Sequence, residues 1–226
     1  MPVTSSATSS ERLTVVAMLL SFAAGAGDAF VFVQLGGVFT ANMTGSLVLS
    51  GLTSRPAYGA LLSGAATALG AFLIAVYLAS KVAPRRSGAD WRRVRRVMAT
   101  VVALNVVVLI MISVSPAPDS MVRLLVLAAS AAAMGAQTAV AKRAEPGGVT
   151  TTFVTGTLTS LAQDAADGSI KHAAVRLGVV GMLVLGALTA SAVMWSDVRM
   201  GPAVAVVATA LATLALPKSR PSDTTG

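Results

Sequence analysis

Long apolar stretches separated by short polar connections dominate the chain and predict membrane-spanning helices. Each stretch reaches or approaches the ~20 residues that an α-helix needs to cross the hydrocarbon core of a bilayer. Alternation with a period of two, which is typical of an outer-membrane barrel, is absent from the sequence. The sequence therefore predicts an all-α, polytopic transmembrane helix bundle. The six predicted spans lie near residues 12–35, 57–81, 97–115, 121–141, 172–194 and 199–216.

Two shorter apolar segments lie between these spans, near residues 40–53 and 150–163. Fourteen residues of helix measure about 21 Å, which is less than the ~30 Å thickness of the hydrocarbon core. The segments are either re-entrant half-helices or spans that are lengthened by their flanking residues. The sequence leaves both alternatives open.

An internal repeat relates the two halves of the chain. Residues 36–45 read GGVFTANMTG and residues 147–156 read GGVTTTFVTG, so six of the ten positions are identical. Residues 25–29 align with residues 135–139 after a one-residue adjustment. Each copy follows a long apolar helix and opens a short segment, which indicates duplication. We expect repeat one to cover about 12–115 and repeat two about 121–216.

The basic residues predict the orientation of the bundle. With six spans and both termini in the cytoplasm, only Arg55, Arg123 and Arg199 of the 17 basic residues lie outside, a ratio of 14 to 3. With eight crossings the ratio falls to 10 to 7. The excess of Lys and Arg in cytoplasmic loops favours six spans. Three spans then separate the copies, so the halves form an inverted repeat, as in many transporters and some channels.

The composition permits little beyond a transmembrane domain. The chain has 55% hydrophobic and 12% charged residues, whereas a soluble domain has roughly 25% charged residues. We expect a disordered tail at 1–11, one transmembrane domain at 12–216 and a C-terminal tail at 217–226. Residues 13–26 also resemble a cleavable signal peptide, but the apolar run continues through Phe32, which favours a retained first span.

Several classes of function are excluded by the residues that the chain lacks. There are no cysteines, and His172 is the only histidine, so no thiolate or multi-histidine metal site is expected. The sequence contains no nucleotide-binding motif and no convincing pair of nucleophile and base, so we predict no cofactor and no enzymatic activity. The net charge of +8 is explained by the loops beside spanning helices, and no nucleic-acid partner is predicted.

The run GAGDAFVFVQLGGVFTANMTG, from Gly25 to Gly45, resembles the YoaK family of bacterial inner-membrane proteins. Gly135-Ala136-Gln137 and the run VTTTFVTGTL at 149–158 resemble the second conserved block of that family. One departure is Ser46, where the family often has Asn. The resemblance implies a location in the bacterial inner membrane and about six spans. It implies no activity and no site residues.

Asp28 is the strongest candidate for a functional residue, because it lies inside the first predicted span beside Gly25 and Gly27. A carboxylate at a helix centre costs about 2.5–3.5 kcal/mol on insertion scales, so such residues usually face a cavity or a partner. The functional interpretation is proton coupling or cation binding. The structural interpretation is a carboxylate near the outer interface that caps a helix or bonds to Thr or Asn.

The two repeated motifs are the second candidate site. If the short segments are half-helices that start near the bilayer midplane, their N-terminal N–H groups would favour an anion or a carboxylate. Small residues and threonines at helical spacing also simply pack membrane helices, and this alternative stays open. The polar candidates are Thr40, Asn42, Thr44, Thr151, Thr152 and Thr155, and the motif glycines are Gly36, Gly37, Gly45, Gly147, Gly148 and Gly156.

Other polar residues have plainer expected roles. Gln34, Asn105 and Gln137 are predicted to form interhelical hydrogen bonds, although Gln137 aligns near Asp28 in the repeat and is kept as a candidate for ligand contact. Asp164 and Asp167 are either solvated loop charges or part of a cytoplasmic gate. The basic loop at 81–96 is expected to fix the topology, with binding of anionic headgroups as the alternative.

Two functional hypotheses follow. The first is a small-solute transporter or channel built from inverted repeats, with Asp28 as a proton-coupling residue. The second is a membrane scaffold or accessory subunit that transports nothing. The expected partners are the lipid bilayer, an unidentified small solute and, in some assemblies, further copies of the chain. The sequence determines neither the substrate, the coupling ion, the direction of transport nor the oligomeric state.

Overall fold

The computed structural model describes residues 4–83, 91–144, 154–168 and 173–217. These residues form eight α-helices and one 3-10 turn, Val198–Met200, without any strand among them. In chain order, the helices are α1 Thr4–Gln34, α2 Met43–Ser50, α3 Tyr58–Val82, α4 Trp91–Val114, α5 Ser120–Ala144, α6 Val154–Ala166, α7 Ala173–Ser196 and α8 Gly201–Ala215.

Six helical segments are long and apolar enough to cross a membrane, with mean hydropathy between 1.6 and 2.7. They are 11–34 in α1, all of α3 and α4, 120–142 in α5, all of α7, and 198–215, which includes α8. The prediction of an all-α, polytopic bundle with six spans is therefore confirmed. At eight residues α2 is about 12 Å long, which is too short to cross the ~30 Å core, and the 13 described residues of α6 measure about 20 Å.

Two helices begin earlier than the sequence pattern predicted. Helix α4 begins at Trp91, so the predicted basic loop at 81–96 is partly helical, because the buried stripe of Val94, Val97 and Val101 continues through the arginines at three- to four-residue spacing. Helix α1 begins at Thr4, within the segment predicted as a disordered tail. Extending an existing helix needs no new nucleation, so polar residues ahead of an apolar span can continue it.

The helices pack in a pattern that crosses between the halves of the chain. Helix α1 packs mainly on α7 and α8, whereas α5 packs mainly on α3 and α4. Helices α4 and α8 pack on one another, α2 packs on α3, and α6 packs on α7. Each helix of the first half therefore corresponds to the helix four places later: α1 to α5, α2 to α6, α3 to α7 and α4 to α8. When every helix is replaced by its counterpart, the same pairs of α-helices are in contact. Each four-helix half has most of its packing surface in the other half.

Glycines allow the closest of these helix contacts. A Cβ atom on Gly25 of α1 would lie 1.9 Å from the carbonyl oxygen of Leu183 in α7. A Cβ atom on Gly135 of α5 would lie 2.4 Å from the carbonyl oxygen of Phe72 in α3. Gly25 and Gly135 are the residues that the sequence repeat aligns. Their contact partners, Leu183 and Phe72, also correspond in the repeat, because they are as far apart in the sequence as the two motif copies that begin at Gly36 and Gly147. The two close contacts therefore occupy corresponding positions in the two halves.

Buried polar side chains join further pairs of helices. Gln137 of α5 donates to the carbonyl oxygen of Leu20 in α1 at 2.7 Å. Asn105 of α4 donates to the hydroxyl of Thr209 in α8 at 3.4 Å. Both side chains therefore make the kind of interhelical hydrogen bond that the sequence predicted for them. Gln34 instead lies exposed at the C-terminal end of α1.

Candidate functional site: a cavity beside Asp28

A tight turn after α1 folds the first repeated motif back against that helix. Gly36 and Gly37 have φ angles of +103° and +73°, in the region that side chains rarely adopt. The Gly37 N–H donates to the carbonyl oxygen of Phe32 at 3.0 Å. These two motif glycines therefore set the direction of the chain, and the turn returns residues 39–42 to the level of Asp28.

The carboxylate of Asp28 binds the backbone that leads into α2. Its Oδ1 atom accepts hydrogen bonds from the N–H groups of Thr40 at 2.7 Å and Ala41 at 2.8 Å, and from the Thr40 hydroxyl at 3.2 Å. Its Oδ2 atom accepts from the N–H of Asn42 at 3.0 Å. Asn42 is the N-cap residue of α2. Asp28 thus places a carboxylate at the positive end of this short helix, where negative charge is favourable.

The rest of the motif closes a compact loop around this carboxylate. The Asn42 side chain accepts from the Gly45 N–H at 3.1 Å. The buried Ser46 hydroxyl donates to the carbonyl oxygen of Phe39 and accepts from the Phe39 N–H, both at 2.9 Å. A Cβ atom on Gly45 would lie 2.9 Å from the Phe39 ring, so the motif's last glycine makes room for that ring.

A cavity of about 980 Å³ opens beside the Asp28 carboxylate. One wall is a single face of α1, formed at helical spacing by residues 24, 25, 28, 29, 32 and 33. Ala24 lies ten residues before the end of α1, about 15 Å along the helix axis, so the cavity reaches the middle of the apolar segment 11–34. Phe72 and Leu183 extend the lining to the middle of α3 and α7.

The N-terminal end of α2 and the first described residues of α6 line this cavity. Met43 and Thr44 are the first two residues of α2, and Val154 and Thr155 are the first two described residues of α6. The repeat alignment pairs Met43 with Val154 and Thr44 with Thr155. The structure therefore brings equivalent positions of the two motifs to one space, although 111 residues of chain separate them.

The structure gathers part of the predicted site and leaves other parts elsewhere. Thr40 is fully buried against Asp28 behind the cavity wall. Gln137 lies at the α1–α5 contact and does not line the cavity, and Gly156 does not line it either. Gly147, Gly148, Thr151 and Thr152 lie outside the described residues. The predicted residues that do line the cavity are Asp28, Asn42, Thr44, Gly45 and Thr155.

Aromatic walls are the part of the site that sequence reasoning missed. The rings of Phe32 and Phe39 are stacked, with centroids 4.8 Å apart and planes inclined by 22°. Both rings line the cavity, and so does Phe72. The chain has only six phenylalanines, and three of them, Phe30, Phe32 and Phe39, lie in the run from Gly25 to Gly45 that also carries Asp28; this clustering is the signal that the sequence offers. The position of Phe39 inside the first motif pointed the same way.

Asp164 has a defined partner near the other short helix. Its carboxylate, at the C-terminal part of α6, forms an ion pair with Arg176 in the first turn of α7. Asp167 is exposed in the turn that follows α6. Lys171 and His172 lie outside the described residues. The ion pair fixes α6 to α7 on the side away from its cavity-lining end.

Comparison with known proteins is consistent with this description. The chain is 32% identical over 146 residues to a Bacillus subtilis (strain 168) protein called "UPF0700 transmembrane protein YoaK". The aligned part makes up 65% of this chain and spans 64% of the length of that relative. No solved structure matches the chain. A sequence profile described as "Protein of unknown function (DUF1275)" matches residues 16–216. Since this match extends from the first span to the last, the chain belongs to that family, and the predicted resemblance to YoaK is confirmed.

Proposed function

We propose that the protein is a transporter or channel for a small organic solute, with the cavity beside Asp28 as its binding site. The observation that carries this proposal is that the first residues of two short helices from opposite halves line one space that reaches mid-bundle. Substrate sites of secondary transporters typically lie near the bilayer midplane, at the interface between repeats and beside interrupted helices.

The proposed architecture is an inverted repeat of two four-helix halves. With three spans between the motif copies, α2 would enter from the outer face and α6 from the cytoplasmic face. Three features support this arrangement: the six identical motif positions, the packing pattern that survives exchange of the halves, and the corresponding contacts of Gly25 and Gly135. The proposed location is the bacterial inner membrane, with both termini in the cytoplasm.

Asp28 is proposed to couple solute binding to opening of the cavity. Its carboxylate joins α1, which packs on α7, to the backbone that enters α2, which packs on α3. Any movement that separates these two groups of helices must break the bonds to residues 40–42. A proton or a cation that competes for the carboxylate would weaken those bonds and favour the separated state.

Cysteine accessibility tests whether the cavity forms part of an aqueous pathway. The chain has no native cysteines, so single variants report on one position each. Thr44→Cys and Thr155→Cys should react with a water-soluble, membrane-impermeant thiol reagent in proteoliposomes. Leu188→Cys and Ile74→Cys provide matched controls, because these side chains are 60% and 62% exposed on the outside of the bundle and should face lipid.

The same variants then test for flux. Proteoliposomes are assayed with a panel of organic cations, amino acids, sugars, anions and protons, and reaction at Thr44→Cys or Thr155→Cys should reduce uptake of the transported solute. Treatment of Leu188→Cys with the same reagent should leave uptake unchanged. Cavity cysteines that react no faster than the lipid-facing controls, together with no solute flux, would contradict the proposal.

The alternative is a non-transporting scaffold or accessory subunit. One observation favours it: the oxygens of Asp28 already accept four hydrogen bonds from residues 40–42, so the carboxylate is satisfied as a structural group. Stoichiometric copurification with one membrane partner, in the absence of flux, would support this alternative.

A further inference from the structure

We propose that the cavity selects an organic cation with a largely apolar body. This inference rests on the proposed function and narrows it to one class of solute. Three features carry it: the charge at the cavity wall, the aromatic rings beside that charge, and the hydrogen bonding of the α2 N-terminus.

The first feature is the sign of the charge. Asp28 is the only ionisable side chain that lines the cavity among the residues that the structure describes. Lys, Arg and His are absent from that described lining. In a low-dielectric bundle an organic anion would meet a carboxylate without a compensating cation, whereas an organic cation would meet an opposite charge.

The second feature is the chemistry of the walls. Phe32, Phe39 and Phe72 provide ring surfaces beside Asp28, and Val33 and Val48 extend the apolar lining. The faces of aromatic rings attract cations, and this attraction strengthens where water is excluded. At the two helix ends the lining is polar, because the threonines at the second position of α2 and of α6 contribute hydroxyl groups. A solute with a cationic group and an apolar body matches both kinds of surface.

The third feature is that the α2 N-terminus already holds an anion. The sequence suggested that free N–H groups at this end would attract an anionic solute. In the structure, the N–H groups of Thr40, Ala41 and Asn42 donate to Asp28 instead. The carboxylate offsets the positive end of the helix dipole, which carries roughly half an elementary charge, so the surplus charge at this end is negative.

The volume of the cavity limits the size of the solute. Ligand sites usually measure about 300–1,000 Å³, and the cavity is near the upper end of that range at about 980 Å³. A rigid cation with several rings therefore fits, and tetraphenylphosphonium is a suitable probe. Tetraphenylborate is its matched control, since it has nearly the same shape and the opposite charge.

The experiment measures equilibrium binding of both labelled probes to the full chain in lipid nanodiscs, with empty nanodiscs as background. We expect tetraphenylphosphonium to bind at least about tenfold more tightly than tetraphenylborate. Asp28→Asn should abolish most of this preference. Phe32→Leu should weaken cation binding while leaving the fold intact, because Phe32 is 38% exposed and belongs to the cavity rather than the core. Asp119→Asn is the control, because it removes an exposed carboxylate at the start of α5, and it should change the binding of neither probe.

The results separate this inference from the proposed function. The cation inference would be overturned if both probes bound equally or if the anion bound more tightly. It would also be overturned if Asp119→Asn lost as much of the preference for the cation as Asp28→Asn. Occupation by lipid chains would give no discrimination by charge and would also overturn it. If the protein transported a sugar or an anion, and thiol reaction at Thr155→Cys blocked that flux, the proposed transport function would be supported and the proposed cationic solute would be contradicted. Selective cation binding without any flux would support the proposed binding site and contradict the proposed transport function.

Discussion

Asp28 acts on backbone groups that lie 12 to 14 residues further along the chain. Capping side chains usually belong to the residue directly before the helix, and Asn42 fills that role for α2. Asp28 adds a carboxylate from a neighbouring span, so the entry to α2 is held by two side chains. Since water is scarce inside a bundle, backbone N–H groups of this kind need protein acceptors.

Removing this carboxylate should destabilise the protein. Asp28→Ala leaves the part-buried N–H groups of Thr40 and Ala41 without their acceptor, and each unsatisfied buried group costs about 1–3 kcal/mol; the Asn42 N–H is exposed and adds little. We expect the free energy of unfolding to fall by about 2–4 kcal/mol, measured by circular dichroism during titration with sodium dodecyl sulfate in mixed micelles.

Asp119→Ala is the matched control for that loss. Asp119 accepts a single exposed hydrogen bond from the Val122 N–H at the start of α5, which is an ordinary helix cap. Its removal should cost about 1 kcal/mol. Equal losses in the two variants would show that the Asp28 contacts add nothing beyond an ordinary cap.

The sequence could identify Asp28 but not its partners. A carboxylate inside an apolar span is unusual enough to be noticed. Its contact with Thr40 and Ala41 depends on a turn whose direction is set by positive φ angles at Gly36 and Gly37. A glycine permits such angles without requiring them, so the sequence left capping and ligand binding as open alternatives.

At the scale of helices, apolar length predicted the spans well and their ends less well. The six spans are recognisable because bilayer thickness imposes a minimum length on each of them. The sequence pattern placed the start of α4 too late because the arginines of residues 92–96 resemble a loop, whereas Val94 between them is 6% exposed and continues the buried stripe. Charge alone therefore does not end a helix whose apolar face still has a packing partner.

Close helix contact at the aligned glycines gives the next prediction. Gly25→Ala and Gly135→Ala each place a methyl group within 2.4 Å of a carbonyl oxygen in the neighbouring helix, and a backbone atom cannot move aside as a side chain can. We expect each variant to lower the free energy of unfolding by about 1–3 kcal/mol, in the same detergent titration.

Two other glycines test whether this effect depends on the contact. A Cβ atom added to Gly70 in α3 or to Gly181 in α7 would meet no atom of another residue within 4 Å beyond its own helical turn. Gly70→Ala and Gly181→Ala should leave stability unchanged or raise it by up to about 1 kcal/mol, because alanine is the better helix former. If all four variants lowered the free energy of unfolding by similar amounts, the loss at Gly25 and Gly135 could not be attributed to close helix contact.

At the scale of the whole molecule, the proposed six-span topology predicts which segments lie on each side of the bilayer. Thr53→Cys and Asp119→Cys, between α2 and α3 and before α5, should react with an impermeant maleimide on intact cells. Lys81→Cys and Lys142→Cys, at the ends of α3 and α5, should react only after the membrane is permeabilised. Labelling of Thr53→Cys and Lys142→Cys from the same side would contradict the inverted arrangement.

The packing of α1 against α7 and α8 has a consequence for biosynthesis. About 140 residues separate the end of α1 from the start of α7, and a ribosome needs roughly 10–30 s to synthesise them. Throughout that interval α1 lies in the membrane with its Gly25 surface unmatched, because its main partners do not yet exist. A nascent chain that stalls before α7 therefore leaves the α7-facing surface of α1 without its partner in the bilayer.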